Sequence, residues 1–126
     1  MAQILELHRE ERVTIDTQRL AGLARRMGAR AAEAYVIEKV EEISDRLADI
    51  DWLHRQGLST EIRAGAQRIS RLSGEIGLTS LSRVAQDLAG AAAQGDIPAY
   101  RAVWERLVRI GDRSLAQVWE VPGLSL

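Results

Sequence analysis

Histidine and cysteine, which act as nucleophiles and as ligands of transition metals, are scarce in this chain: it has two histidines, His8 and His54, and no cysteine. Asp51 and His54 have the carboxylate-x-x-His spacing of di-iron helical bundles, but such a site needs a second pair of this kind and two further inward-facing glutamates. The sequence contains no second pair. No serine has a histidine at the spacing of a hydrolase motif, and no glycine-rich phosphate loop is present. We therefore predict no metal site, no cofactor and no conventional catalytic residue.

A second group of polar side chains lies on one flank of the amphipathic stretch 62–77. Apolar or small residues recur there at helical spacing and turn one face toward a core: Ile62, Ala66, Ile69, Ser73 and Ile76. The flank about 100° away faces water or a partner. We predict it to be the partner-binding surface, formed by Arg63, Gln67, Ser70, Arg71 and Gly74.

The same stretch resembles the third helix of a histidine-containing phosphotransfer (HPt) domain. The motif of that family is a phosphorylatable histidine, then lysine at +3, glycine at +4, two small residues and glycine at +10. With Gln67 as the first position, the second small residue is Ser73 and the last glycine is Gly77. The positions that carry the chemistry differ: Gln67 replaces the histidine, Ser70 the lysine, Arg71 the glycine and Leu72 the first small residue.

The resemblance implies a protein of two-component phosphorelay signalling whose partner is a response-regulator receiver domain or a histidine kinase. In the family, the histidine accepts a phosphoryl group from a receiver aspartate and passes it on. An amide nitrogen has no free lone pair at neutral pH, so Gln67 cannot replace the imidazole. We therefore expect a binding or regulatory module that is not itself phosphorylated, rather than an enzyme.

Two alternatives remain at this stage. His54 is the one histidine on a predicted helix and could serve as a displaced phosphoacceptor, although its position predicts a partly buried side chain bonded to the following turn or to the helix end. The chain could also be a purely structural bundle that forms a homo-oligomer.

Composition excludes some classes of partner and location. The net charge is −1, from 17 basic and 18 acidic residues, which gives no overall field to attract nucleic acid. Arg63, Arg68 and Arg71 lie on one helix without an interleaved aromatic residue, which favours a solvated face. No apolar run approaches 18 residues, so we predict no membrane span and, with no cysteine, a cytoplasmic protein.

The elements that must position these side chains are all predicted to be helices. A short helix follows Asp16 and stops at Gly28, and a long one continues from residue 29 to about residue 56. The third begins after a cap at Ser59 or Thr60. The last two begin after caps at Thr79 or Ser80, and at Asp96 with Pro98 in the first turn.

This succession predicts an all-α fold, an up-down-up-down four-helix bundle with an additional short N-terminal helix, because short connections force neighbouring helices antiparallel. The bundle is predicted over residues 14–119, between an N-terminal arm at residues 1–13 and a C-terminal tail at residues 120–126. The resemblance to HPt domains covers roughly residues 13–118.

Large aromatic side chains and one acidic face complete the predictions. Trp104 lies on an apolar helical stripe, and we predict core packing for it; for Trp52 and Trp119 core packing is favoured over a role as interface anchors.

The outer face of the second helix is acidic, and a solvated face is favoured there over an acidic docking surface. That face carries Glu38, Glu41, Glu42, Asp45 and Asp49.

Overall fold

A computed structural model describes residues 12–121, which are all-helical and contain no strand. Five α-helices follow one another with short connections: α1 Thr17–Met27, α2 Ala29–Arg55, α3 Ile62–Glu75, α4 Thr79–Gln94 and α5 Ile97–Gln117. Two short 3-10 helices, Ser59–Glu61 and Val118–Glu120, precede α3 and follow α5. The predicted arm and tail lie almost wholly outside the described residues.

Aspartate caps begin the first and last helices, as predicted. The Asp16 carboxylate accepts a hydrogen bond from the Arg19 backbone N–H at 3.1 Å, and that of Asp96 accepts one from the Ala99 N–H at 3.1 Å. Each carboxylate satisfies a backbone donor that the helix itself leaves without a partner. Pro98 occupies the first turn of α5, where its missing N–H removes no hydrogen bond.

The predicted serine and threonine caps of α3 and α4 are wrong. A 3-10 turn, Ser59–Glu61, leads directly into α3, and no side chain caps that helix. No side chain caps α4 either. The Ser80 hydroxyl accepts a hydrogen bond from the Thr14 backbone N–H at 2.7 Å, so it fixes the segment before α1 instead of its own helix.

Packing follows the order of the chain: α1 lies on α2, α2 on α3, α3 on α4, and α4 on α5. The predicted inner face of α3 is confirmed, since Ile62, Ala66, Ile69, Ser73 and Ile76 are all fully buried. At the contact between α2 and α3, a Cβ atom on Gly65 would lie 2.5 Å from Ile50 Cγ2. Only glycine fits at this crossing without displacing its neighbour.

The three tryptophans have different environments. Trp104 is buried, as predicted, and Trp119 packs half-buried against the core. Core packing is the wrong prediction for Trp52, whose side chain is 58% exposed. Trp52 lies two residues after the buried Ile50, which places it on the outer side of α2.

The turn between α3 and α4 holds the segment that precedes α1. The Asp16 N–H donates to the Gly77 carbonyl oxygen at 2.7 Å, and the Arg19 Nε donates to the Glu75 carbonyl oxygen at 3.1 Å. Gly77 has a φ of +77°, and a Cβ atom there would lie 2.7 Å from the Asp16 carbonyl oxygen. Both its backbone conformation and its contact with Asp16 require glycine.

We predict that Ile69→Asp unfolds or severely destabilises the domain. Ile69 is fully buried in the core, and an unpaired carboxylate there should cost about 4 kcal/mol or more, a large part of the stability of a typical domain. The matched control, Ala64→Asp, alters an exposed position of the same helix and should cost less than about 1 kcal/mol. Equal melting temperatures of the two variants, measured by circular dichroism, would contradict this orientation of α3.

The losses of stability in Gly77→Ala and Gly57→Ala should distinguish the cost of an alanine at positive φ from the cost of its clash with Asp16. Both glycines have positive φ, +77° and +74°, but a Cβ atom on Gly57 meets nothing within 4 Å. Gly57→Ala should therefore cost about 1–2 kcal/mol of stability from conformation alone. Gly77→Ala should cost about 2 kcal/mol more because it also displaces Asp16. Chemical denaturation measures both, and equal losses would mean that the contact with Asp16 contributes nothing.

Candidate functional site

A surface groove of about 370 Å³ lies between α3 and α4. Four of the five residues predicted to bind a partner line it from α3: Arg63, Gln67, Ser70 and Arg71. The wall from α4 consists of Gln86, Ala89, Gly90 and Ala93. This α3–α4 groove is therefore polar and cationic on one side and lined mainly by small residues on the other.

The α3 side presents three exposed side chains on successive turns. Arg63, Gln67 and Arg71 are spaced by four residues, so the Gln67 amide is flanked by a guanidinium one turn before it and another one turn after it. Guanidinium groups donate paired hydrogen bonds to carboxylates and phosphates. This wall can therefore bind an anionic group placed near Gln67.

Three of the four residues of the α4 wall have small side chains, and only Gln86 has a long one. Ala89, Gly90 and Ala93 extend no further than a Cβ atom, and a Cβ atom on Gly90 would meet nothing within 4 Å. This wall was not predicted from the sequence, because only the flank of the stretch 62–77 was considered as a binding surface. The run of small residues at 89–93 was the signal that could have found it.

Ser70 and Gly74 belong to the contact between α3 and α4 as well as to the predicted flank. The Ser70 hydroxyl donates to the Ser82 carbonyl oxygen at 2.9 Å, and the Ser82 hydroxyl donates to the Ser70 carbonyl oxygen at 2.8 Å. A Cβ atom on Gly74 would lie 3.5 Å from Ser82 Oγ, and Gly74 does not line the groove. This reciprocal pair joins the two helices at one end of the groove.

Arg68, the third cation of α3, points toward α2. Its Nε donates to the Glu42 carboxylate at 2.9 Å, and this hydrogen bond lowers the pKa of Glu42 below its ordinary value. The three arginines of α3 thus have different environments. Arg63 and Arg71 line the groove, whereas Arg68 forms an ion pair with Glu42 of α2.

His54 lies in a different cluster, between α2 and α5. Its Nδ1 is 2.7 Å from the Tyr100 hydroxyl, and its ring stacks on Trp104 with the centroids 4.1 Å apart. The predicted half-burial is confirmed, but the predicted bond to the turn or the helix end is wrong, because the partner comes from α5. Burial raises the pKa of Tyr100, which keeps its hydroxyl protonated. His54 does not line the α3–α4 groove.

Residues 12–121 contain no group of three or more His, Cys, Asp or Glu side chains placed to hold a metal ion. Within the same residues, no helix combines the length and the apolar character needed to cross a membrane.

Comparison with known proteins gave no relative: no family model, no curated protein and no solved structure matches this chain. A functional proposal therefore depends on the chemistry of the groove and on the resemblance of residues 67–77 to the HPt motif.

Ser70→Ala and Ser73→Ala should have different effects on stability. Ser70→Ala removes a hydroxyl that donates across the α3–α4 contact and should cost about 1 kcal/mol. The buried Ser73 hydroxyl has no hydrogen-bond partner among the described residues, so Ser73→Ala should leave stability unchanged or raise it by up to about 1 kcal/mol. Urea denaturation tests both, and a Ser73→Ala loss as large as that of Ser70→Ala would contradict the assignment.

Proposed function

We propose that this chain is an HPt-like module of two-component signalling that binds a receiver domain without being phosphorylated. In this proposal α2 to α5 form an up-down-up-down four-helix bundle, α1 is an additional N-terminal helix, and the module works in the cytoplasm. A histidine kinase is the second partner class that the resemblance implies. The observation that carries the proposal is that Gln67, at the position of the phosphoacceptor, opens onto the α3–α4 groove.

The chemistry of Gln67 supports binding without transfer. Its amide can donate and accept hydrogen bonds but offers no nucleophilic nitrogen at neutral pH. The small residues of the opposite wall, Ala89, Gly90 and Ala93, leave room for an approaching loop or helix end. A receiver domain can therefore be held at this surface while no phosphoryl group leaves its aspartate.

The charges of the groove favour a receiver as the partner. The phosphorylation pocket of a receiver is a cluster of carboxylates, and Arg71 lies one turn after Gln67, where HPt domains have glycine. Its guanidinium can form charge-assisted hydrogen bonds with these carboxylates, and Arg63 adds a second cation one turn before Gln67. Unphosphorylated receivers, whose carboxylates are free, are the form we expect the module to bind.

Binding is tested by isothermal titration calorimetry against receiver domains captured from the native cytosol. Arg71→Ala should weaken binding by about 1–3 kcal/mol and flatten its dependence on salt. Gly90→Leu should also weaken it, because Gly90 lines the groove and a Cβ atom there would meet nothing within 4 Å, so the new side chain should occupy space that the partner needs. Arg30→Ala, an exposed arginine on α2, is the matched control. Unchanged affinity for Arg71→Ala at low salt would rule out the docking role.

Phosphotransfer is tested separately with an active kinase and receiver system. The wild-type chain should acquire no acid-labile, base-stable label, because Gln67 cannot accept a phosphoryl group. Gln67→His combined with Arg71→Gly restores the motif at two positions and should move the surface toward phosphorylation. Stoichiometric label on the wild-type chain that is lost in His54→Gln would overturn the proposal in favour of a displaced phosphoacceptor.

A further inference from the structure

A second groove, of about 220 Å³, lies between α2 and α5 and is independent of the surface discussed above. Leu47 from α2, and Trp104 and Leu107 from α5, contribute large apolar side chains to its lining. Gly111 lies at its α5 wall, where an added Cβ atom would be 3.6 Å from Leu47 Cδ1. The groove therefore offers an apolar recess into which a partner's side chains can fit.

Exposed apolar side chains extend this recess to the surface. Val108 lines the groove from α5 and is 45% exposed. Trp52 is 58% exposed and follows Ala48, a groove residue, by one helical turn. Tryptophans left exposed beside an apolar recess are frequent anchors of protein interfaces.

The charged side chains that line this recess are carboxylates. Asp51 and Asp112 line the groove itself, and Asp51 forms an ion pair with Arg55. Four further exposed carboxylates precede Trp52 on the same face of α2, at offsets of 3, 7, 11 and 14 residues: Asp49, Asp45, Glu41 and Glu38. Asp49 forms an exposed ion pair with Arg46, and a pair of this kind is weak enough to be exchanged for a partner's cation.

We propose that the α2–α5 groove docks a cationic amphipathic helix. Its apolar face occupies the recess beside Trp104 and covers Trp52, while its lysines or arginines lie along the acidic face of α2. Charge complementarity selects this occupant, since an apolar helix with an acidic rim would be repelled by Asp112 and by the carboxylates before Trp52. The mode of recognition is that of a helix in a groove.

The probe is a three-heptad peptide with leucine at the first and fourth positions of each heptad, lysine at the outer positions and alanine elsewhere. The control peptide has glutamate in place of lysine. Neither contains an aromatic residue, so a blue shift of tryptophan emission on titration comes from the tryptophans of the chain, of which Trp52 is the most exposed. The chain of residues 1–126 should bind the lysine peptide at least tenfold more tightly than the glutamate peptide, with an affinity that falls as salt rises.

Ala48→Arg locates the binding site. Ala48 is exposed and lines the groove, so the new side chain should obstruct the recess and repel the lysine peptide, and it should weaken binding at least tenfold. Ala64→Arg makes the same change at an exposed position of α3 and should bind like the wild type. Equal binding of the two peptides, or Ala48→Arg binding as tightly as Ala64→Arg, would overturn the proposal. A dimer in sedimentation that Ala48→Arg dissociates would overturn it in favour of a second copy of the chain.

Discussion

The close crossing of α2 and α3, where Gly65 faces Ile50, is the constraint on which the rest of the arrangement depends. A Cβ atom at residue 65 would lie 2.5 Å from Ile50 Cγ2, so a larger residue there would displace Ile50 or α3. This contact fixes the rotation of α3 about its axis. With the core face of α3 turned inward, Arg63, Gln67 and Arg71 lie on the flank beside α4.

Periodicity predicted the helices and the inner face of α3 because burial of an apolar stripe is a local property of the sequence. The second wall of the α3–α4 groove could not be predicted in this way. Ala89, Gly90 and Ala93 form a wall only because α3 and α4 pack at a particular distance. The same holds for Ser70, whose position in the sequence predicts a solvated hydroxyl. In the structure that hydroxyl donates to the Ser82 carbonyl oxygen, and the Ser82 hydroxyl donates to the Ser70 carbonyl oxygen.

Trp52 and His54 illustrate a second limit of prediction, which is that a residue type indicates burial only on average. Trp52 is exposed because its position lies on the outer face of α2, and the size of its side chain does not alter that geometry. His54, two residues later, turns toward α5 and stacks on Trp104. Two aromatic residues only two positions apart therefore have different environments: Trp52 is exposed apolar surface, and His54 packs against α5.

The motif glycine Gly77 has a structural role that does not involve phosphoryl transfer. Gly77 has a positive φ in the turn after α3, and its carbonyl oxygen accepts a hydrogen bond from the Asp16 N–H. Asp16 lies so close that a Cβ atom at residue 77 would clash with its carbonyl oxygen. Loss of this glycine would cost stability whatever residue 67 is. Residue 67, in contrast, lies on the exposed flank of α3, where a substitution leaves the packing of the core intact. A chain can therefore keep the glycine of the HPt motif, because folding requires it, while Gln67 replaces the reactive histidine. This is expected where fold and function place separate demands on a sequence.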